Sequence, residues 1–467
     1  MGPCLRGETR GHLMKRIVRR SGPDRPTDST ITAERHRKTR KAYYGKRQGG
    51  EALRRRRAAT AAHKCYNELP MTKPNDKLRR LLSCSFALLA LAIIAATALY
   101  PRLDWKLAGA ENAVPAPGLS PQKWLSGEIQ AQTEPWLARR FGVRGFALRT
   151  ANQLNYSVFH RKPANTSVVF GKDGWLYEKG YFTYYQERHP LKRPKQAKQF
   201  AGQMAALRDR LSERGIPLVV VVSPSKLEIY PEHLPDGIAP SDEALTRTPG
   251  YIQVIDALKA AGIPVVDAHA LLLDWKSEGI PLFPKTGTHW NSYAAQKCMA
   301  EAWRTARAEE SGKDLPPFPE VTGSEDRSPI GADTDLGDLL NFIHSPGSGE
   351  KVPYPVLAQT ESGKRARVLM VGDSFTFQLV DAMGRSGCVA DVKLLYYFRG
   401  IYDFRWKEGE TPVFNNPEDF RTGSVDHKKI DYNELVADKD IVVVEFNEIY
   451  ARNFAWGFAD FASTGLR

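Results

Sequence analysis

An apolar run that ends in a polar turn occupies residues 366–374, with the sequence Ala366-Arg367-Val368-Leu369-Met370-Val371-Gly372-Asp373-Ser374. Its first six residues are rich in apolar and β-branched side chains, and an amphipathic stretch follows the turn at 375–383. This order is typical of a buried strand, a tight turn and a helix. We therefore expect Ser374 at the carboxyl edge of a sheet, where a helix begins.

The same alternation of strand and helix patterns continues through the rest of the chain. Further apolar runs, each short enough for a strand, occupy 217–222, 263–267, 392–397 and 441–446, and helix-like stretches at 196–214 and 251–261 precede the first two. Continuous apolar strands separated by helices indicate a parallel sheet covered on both faces. The sequence predicts an α/β fold in three layers with a mainly parallel sheet.

Ser374 is a candidate nucleophile because free N–H groups at the first turn of a helix can stabilise an oxyanion. A serine hydroxyl is a weak nucleophile unless a base takes its proton. The Gly-x-Ser-x-Gly form of the nucleophile elbow is absent. The alternative is that Ser374 only caps the helix that follows it.

His289 is the candidate base among the ten histidines of the chain. It belongs to the string Thr288-His289-Trp290-Asn291, a polar turn ahead of the helix-like stretch 294–303. Histidine is the side chain whose unperturbed pKa suits proton transfer near neutral pH. The alternative is a histidine in a capping loop, satisfied by local backbone groups.

The positive charge of the chain is concentrated at its N-terminus. The formal net charge is +14, yet residues 1–80 hold 23 Lys and Arg against 7 Asp and Glu, which leaves 44 basic and 46 acidic side chains in the remainder. The folded part therefore has no basic stripe with interleaved aromatic residues, and we expect no nucleic-acid partner. Residues 1–80 are predicted to be a disordered leader, in which 1–70 are an upstream extension ahead of a start at Met71.

Residues 81–100 predict a single transmembrane helix or uncleaved signal anchor. The stretch contains no charged residue over twenty positions, enough to cross a hydrocarbon core of about 30 Å. Lys77, Arg79 and Arg80 precede it, so the positive-inside bias places the domain at 101–467 in the periplasm, anchored to the inner membrane. The alternative is cleavage at Ala96-Thr97-Ala98, which would release the domain.

The chain lacks the usual signatures of a metal or nucleotide site. It contains no Cys-x-x-Cys, His-Glu-x-x-His or Gly-rich phosphate loop after a strand, so we expect no metal and no cofactor. Cys298 and Cys388 are the two cysteines of the predicted domain that are able to form a disulfide in an oxidising compartment. Two buried free thiols are the expected outcome.

The serine and histidine strings together resemble the SGNH-hydrolase-like family of bacterial polysaccharide O-acetyltransferases, which includes the alginate acetylation proteins AlgJ and AlgX. The segment 169–177, with Gly174-Trp175-Leu176, and the final strand followed by Asn447-Glu448 are similar to segments of that family. The histidine string also precedes the serine string, as in the family. The resemblance spans residues 124–454 and implies an SGNH-hydrolase-like sandwich, with Ser374 as the acylated nucleophile and His289 as its base.

One position departs from the family pattern. Family members carry an Asp two residues before the histidine, and this chain has Gly287 there. Asp267, at the end of the run 263–267, is the first substitute that we consider, followed by Asp373 and Glu445. The other options are a Ser-His dyad or an impaired site, because a missing acid costs about 10⁴ in rate in a well-studied triad.

The resemblance implies an O-acetyltransferase that acts on an exported polysaccharide and receives its acetyl group from a membrane-bound O-acyltransferase partner. An acetyl esterase of the same fold is one alternative. A catalytically weak polysaccharide-binding or assembly protein is another, and Gly287 favours it. We expect Trp290, Asn291 and Tyr402 to contact substrate, and residues 314–360, rich in Pro, Gly, Ser and Asp, to form an irregular insertion.

Overall fold

The structure is a computed structural model that describes residues 76–99, 105–109, 115–140, 144–163, 167–347, 349–359, 363–407 and 416–466. The chain divides into two compact units, residues 1–92 and 93–467. The predicted leader over 1–80, with its upstream extension over 1–70 and the proposed start at Met71, lies outside the described residues up to residue 75, whereas residues 76–80 belong to a helix and are not disordered.

The α-helices of the described residues are as follows. They are α1 (Asp76–Leu99), α2 (Pro121–Leu125), α3 (Glu128–Arg140), α4 (Arg144–Ser157), α5 (Phe182–Glu187), α6 (Pro194–Ser212), α7 (Lys226–Ile229), α8 (Asp242–Leu245), α9 (Gly250–Ala260), α10 (Ala268–Trp275), α11 (Ser292–Ala308), α12 (Asp335–Leu339), α13 (Thr376–Arg385), α14 (Tyr432–Val436) and α15 (Phe458–Gly465).

The strands follow the same chain order. They are β1 (Val168–Phe170), β2 (Leu176–Glu178), β3 (Leu218–Ser223), β4 (Val265–Asp267), β5 (Val321–Arg327), β6 (Val352–Leu357), β7 (Ala366–Gly372), β8 (Val389–Tyr396), β9 (Gly400–Arg405), β10 (Arg421–Ser424) and β11 (Ile441–Asn447). The strands and helices predicted from the apolar runs are therefore confirmed, with ends shifted by up to three residues.

The central sheet has the strand order β10-β9-β8-β7-β11-β3-β4 within the described residues. Strands β8, β7, β11, β3 and β4 are parallel, and β9 and β10 add an antiparallel edge. Every residue of β3 and β11 is buried. Because successive side chains point to opposite faces, both faces of the sheet are covered, which confirms the predicted α/β sandwich.

Two groups of helices cover this sheet. Helix α6 contacts both α9 and α15, and α11 contacts α13. The apolar faces of α6 and α11 are buried over their whole length. This arrangement leaves the carboxyl ends of β7, β11, β3 and β4 on one edge, where the connecting loops meet.

The segment predicted to be an irregular insertion has regular structure. Strands β5 and β6 form an antiparallel pair, and α12 lies between them in the chain. The composition of residues 314–360 suggested a loop, but α12 buries Leu336 and packs near β2. This segment also brings an acidic side chain to the candidate site, as described below.

The apolar stretch 81–100 lies mostly within α1, so the helix predicted there is present. Among the helices that the structure describes, none meets the length and apolarity needed to cross a membrane. The membrane-spanning part of the fold prediction therefore finds no support in the described residues. The two thiols Cys298 and Cys388 are buried and free, as expected.

Candidate active site

Ser374 lies in the turn that joins the end of β7 to α13. The Asp373 carboxylate holds this turn by accepting hydrogen bonds from the backbone N–H of Phe375, at 3.0 Å, and of Asn447 at the end of β11, at 2.7 Å. Asp373 is completely buried. The turn is therefore fixed to the neighbouring strand, and the predicted order of strand, turn and helix is confirmed.

Ser374 does not cap the helix that follows it. Phe375 is the N-cap residue of α13, and its side chain makes no cap hydrogen bond. Ser374 is half-buried. Within the described ranges, neither its hydroxyl nor its N–H group has a hydrogen-bond partner. Both groups are thus free to act on a ligand.

His289 is held by a carboxylate that the sequence did not reveal. Its Nδ1 atom lies 2.7 Å from Oδ2 of Asp335, the first residue of α12. The other carboxylate oxygen of Asp335 accepts the backbone N–H of Thr288 at 2.7 Å. A carboxylate at Nδ1 requires the ring proton on that nitrogen, so Nε2 is left as the proton acceptor. Nε2 is buried and has no partner among the described residues.

The loop that carries His289 is docked on the turn that carries Ser374. The rings of His289 and Phe375 are 4.9 Å apart, and the indole N–H of Trp290 donates to the Phe375 carbonyl oxygen at 3.2 Å. Phe375 directly follows Ser374. The structure therefore brings together the two strings that the sequence predicted to share a site.

Charged groups around His289 favour its protonated form. Burial opposes the charge, but the hydrogen bond and charge of Asp335, with the charges of Asp373 and Glu178, raise the pKa of His289 above its ordinary value. Glu178, at the end of β2, has a pKa raised by burial. Carboxylates near the ring stabilise the imidazolium that forms when His289 accepts a proton.

The prediction of Asp267 as the acid is wrong. Its carboxylate oxygen accepts the backbone N–H of Ala270 at 3.1 Å, so this side chain is the N-cap of α10. Asp335 lies beside His289, in the position where Asp267 was expected. The acid comes from a segment 46 residues further along the chain. The acidic residues at 333–338 were the only signal in the sequence for this acid, and no spacing related them to His289.

The lack of a side chain at Gly287 accounts for an acid at Asp335 and not at position 287. A Cβ atom at this position would lie 2.3 Å from the carbonyl oxygen of Ala332 and 2.9 Å from the carbonyl carbon of Asp333. These distances are below van der Waals contact, so an Asp side chain cannot be accommodated here. The glycine lets the segment before α12 pack directly on the histidine loop, and this contact delivers Asp335.

Asp373 and Glu445, the other predicted substitutes, form a buried pair at the strand ends instead. Burial raises the pKa of both carboxyl groups, most strongly that of Glu445, and their side chains are hydrogen-bonded to each other. The Ser223 hydroxyl donates to Glu445 at 2.6 Å. A neutral Glu445 beside an ionised Asp373 satisfies these contacts. The pair links β7, β11 and β3, and Asp373 acts on His289 only through its charge.

The structure places the three predicted substrate contacts in the interior. Trp290 is fully buried, and Tyr402 is 2 % exposed with its hydroxyl bonded to Glu418. Asn291 is fully buried, and its side chain caps α11 by accepting the N–H of Ala294 at 2.9 Å. These side chains pack the interior, so none of them presents a surface for a sugar ring.

A different aromatic group lies beside the Ser374 turn. It consists of Tyr397, Tyr450 and Trp456, all half-buried, and we call it the aromatic group. The Tyr397 ring centroid is 5.8 Å from that of Tyr450 and 5.1 Å from that of Trp456, both edge to face. The Tyr397 N–H donates to the Gly372 carbonyl at 2.7 Å, which ties the group to the end of β7.

The backbone of the aromatic group is unusual. Tyr397 and Trp456 have φ angles of 50° and 55°, in the left-handed region that non-glycine residues seldom adopt. Such positions cost of order 1–3 kcal/mol and cluster at functional sites. No sequence pattern placed Tyr397 beside Tyr450 and Trp456, because their proximity depends on the ends of β8 and β11 meeting in space.

The described residues contain no group of three or more His, Cys, Asp or Glu side chains arranged to hold a metal ion.

Comparison with known proteins agrees with the resemblance seen in the sequence. Residues 168–377 match the family described as SGNH hydrolase-like domain, acetyltransferase AlgX. A probable alginate O-acetylase AlgJ of Pseudomonas aeruginosa is 28 % identical over 250 residues, covering 53 % of this chain and 59 % of the relative. That of Pseudomonas syringae is 26 % identical over 219 residues, covering 47 % and 51 %. The predicted resemblance is confirmed, although the chain spans less than two thirds of these relatives.

Solved structures of the same group are also similar to this chain. The O-acetyltransferase domain of Pseudomonas putida AlgJ aligns with a TM-score of 0.39 and 18 % identity, over 63 % of this chain and 98 % of that domain. Pseudomonas aeruginosa AlgX aligns with a TM-score of 0.36 and 17 % identity, over 62 % of this chain and 65 % of its own.

Proposed function

We propose that this chain is a serine-dependent O-acetyltransferase that modifies hydroxyl groups of an exported polysaccharide. The observation that carries the proposal is the contact between Asp335 and His289, whose ring also packs on Phe375 beside Ser374 and whose Nε2 has no partner among the described residues. The relatives named alginate O-acetylases support acetyl transfer as the reaction and a polysaccharide as the acceptor. The apolar stretch at 81–100 supports a periplasmic location of the domain at the inner membrane.

In the first half-reaction, His289 Nε2 takes the hydroxyl proton of Ser374 while Oγ attacks the carbonyl carbon of the acetyl donor. The Ser374 N–H is the donor available to the resulting oxyanion, since the Phe375 N–H is engaged by Asp373. The Asp335 carboxylate stabilises the imidazolium. His289 then returns the proton to the leaving group, and the acetyl group remains on Ser374 Oγ.

In the second half-reaction, a hydroxyl of the polysaccharide gives its proton to His289 Nε2 and attacks the acetyl carbon of acetyl-Ser374. The tetrahedral intermediate collapses, and Ser374 Oγ recovers the proton from His289. We assign the aromatic group to the acceptor, since apolar faces of sugar rings pack against exposed aromatic side chains. The donor is a membrane-bound O-acyltransferase partner, because acetyl-CoA is confined to the cytoplasm.

The alternative of a catalytically weak binding protein rested on the missing acid at Gly287. Asp335 removes that argument. An esterase would use the same acyl-enzyme with water as acceptor, so the acceptor has to be tested directly.

The test uses the full-length chain with a chromogenic acetyl ester and acetyl-free alginate oligosaccharides. We expect an acetyl adduct by intact mass and transfer to the oligosaccharide, both lost in Ser374→Ala and His289→Ala. Asp267→Asn is the matched control and keeps both, because Asp267 only caps α10. Ester turnover without transfer to any saccharide would identify an esterase. An adduct that persists in Ser374→Ala would contradict the proposed nucleophile.

A further inference from the structure

Lys226 is a buried cation without a carboxylate partner among the described residues. It begins α7, directly after the end of β3, and is 2 % exposed. Its ammonium group donates to four backbone carbonyl oxygens, those of Leu176 at 2.8 Å, Pro284 at 2.6 Å, Lys285 at 2.8 Å and Gly287 at 2.8 Å. We call these four oxygens the carbonyl cage.

The carbonyl cage is built for a charged group. A neutral amine offers two N–H donors and an ammonium three, so four acceptors within 2.8 Å match the charged form. The rings of Trp175 and Tyr177 face the ammonium at 4.8 and 5.3 Å and add cation–π attraction. Burial lowers the pKa of Lys226, and the charge of Asp335 opposes that effect.

Three of the four cage oxygens belong to the loop that carries His289. Residues 284–290 form neither helix nor strand, so regular backbone pairing does not define their path. The loop is tied instead to β2 by the Leu176 N–H, which donates to the Lys285 oxygen at 2.8 Å, to α12 by the Gly337 N–H, which donates to the Thr286 oxygen at 3.0 Å, and to Lys226. The Gly287 oxygen, two residues before His289, is the last of these ties.

We infer that Lys226 is a positioning residue for His289. The inference rests on the proposed function, in which His289 must present Nε2 to Ser374. The ammonium draws three loop carbonyls to one point and thereby sets where the loop leaves toward His289. Without that charge the carbonyls repel one another, and the histidine loses its alignment with both Asp335 and Ser374.

The test compares Lys226→Met, which keeps the length of the side chain without its charge, with the control Lys276→Met. Lys276 is a suitable control because it also bonds a carbonyl, that of Ile229 at 2.7 Å, and faces the Tyr230 ring at 4.7 Å. Its described contacts do not include the histidine loop. The first readout is the low-field proton resonance of His289 Nδ1–H bonded to Asp335, assigned by its loss in Asp335→Asn.

We expect Lys226→Met to lose this resonance and to lower kcat for acetyl ester turnover about 100-fold, the effect of a displacement near 1 Å. The control keeps both. In Lys226→Ala, ammonium chloride occupies the carbonyl cage and raises the rate about tenfold. Tetramethylammonium at equal ionic strength does not, because it lacks N–H donors.

The resonance does not depend on turnover, so it separates this inference from the proposed function. A wild type without Ser374-dependent turnover would contradict the function, whereas the resonance would still report whether Lys226 positions His289. A folded Lys226→Met that keeps the resonance and the rate would overturn the inference, as would an equal loss in Lys276→Met. If Lys226→Met does not fold, the rate of Lys226→Arg is measured in its place. Its planar guanidinium cannot converge on the cage, so an unchanged rate in that variant would overturn the inference.

Discussion

Replacing Asp335 by Asn tests the catalytic assignment most directly, because the two oxygens of Asp335 have different partners. Oδ1 accepts the Thr288 N–H and Oδ2 faces His289 Nδ1, both at 2.7 Å. If the new amide keeps its oxygen on the Thr288 N–H, its NH₂ group points at Nδ1. The imidazole must then carry its proton on Nε2, where it cannot accept the Ser374 proton. This wrong tautomer costs about 10⁴ in rate in a comparable triad.

The opposite orientation of the amide restores the tautomer but sets its NH₂ group against the Thr288 N–H. A buried donor left without an acceptor costs about 1–3 kcal/mol. That energy corresponds to a roughly 5- to 150-fold smaller competent population. We therefore expect Asp335→Asn to lower the acylation rate by a factor between about 5 and about 10⁴, with the fold unchanged.

The assay is the rate of acetyl adduct formation as a function of pH, measured by intact mass for the wild type, Asp335→Asn and Asp267→Asn. Acylation needs neutral His289, so the wild-type rate rises with pH through the raised pKa of this group. Without the Asp335 charge that pKa falls, and the rising limb moves to lower pH. If Asp335→Asn keeps an acylation rate within twofold of the wild type, and if its rate rises over the same pH range, the assignment is refuted.

Three further predictions follow from other contacts. Gly287→Ala forces its Cβ against the Ala332 oxygen and should lower both the melting temperature and the acylation rate, whereas Gly202→Ala in α6, which meets no atom within 4 Å, should leave the rate unchanged. Tyr397→Ala should raise KM for saccharide acceptors more than it changes turnover of a small acetyl ester; equal effects on both would argue against an acceptor subsite. Burial and the charge of Glu448 raise the pKa of Glu228 to about 7, so the folded state holds this proton more tightly and loses stability as pH rises from about 4.3 through 7. Glu228→Gln should therefore be more stable than the wild type at pH 8, by at most about 4 kcal/mol in the free energy of unfolding, with a higher melting temperature, and should differ little at pH 4; no pH dependence of the difference would count against this account.

The strands of the central sheet were predictable because their signal is local. The apolar runs that became β3, β7 and β11 are buried on both faces, so each is recognisable without knowing its neighbours. The turn at Ser374 and the loop at His289 were predictable for the same reason, since a polar string at the end of an apolar run marks the edge of a sheet.

The acid partner and the exposed aromatic side chains were not predictable. Asp335 reaches His289 across 46 residues, from a segment whose composition suggested an irregular loop. Whether an aromatic ring is buried depends on what packs against it. Trp290 and Tyr402 are buried in the interior, whereas Tyr397 is only half-buried. Gly287, the residue before the histidine string, suggested a missing acid, but it marks a close backbone contact.

From the sequence alone came the α/β fold, the candidate nucleophile Ser374 and the candidate base His289, since each follows from residues adjacent in the chain. Only the tertiary structure decided that Asp335 lies beside His289, that Gly287 allows a close backbone contact and that a carbonyl cage surrounds Lys226. These depend on distances between distant segments, and such distances arise from packing and close backbone approach, which the order of residues along the chain does not display.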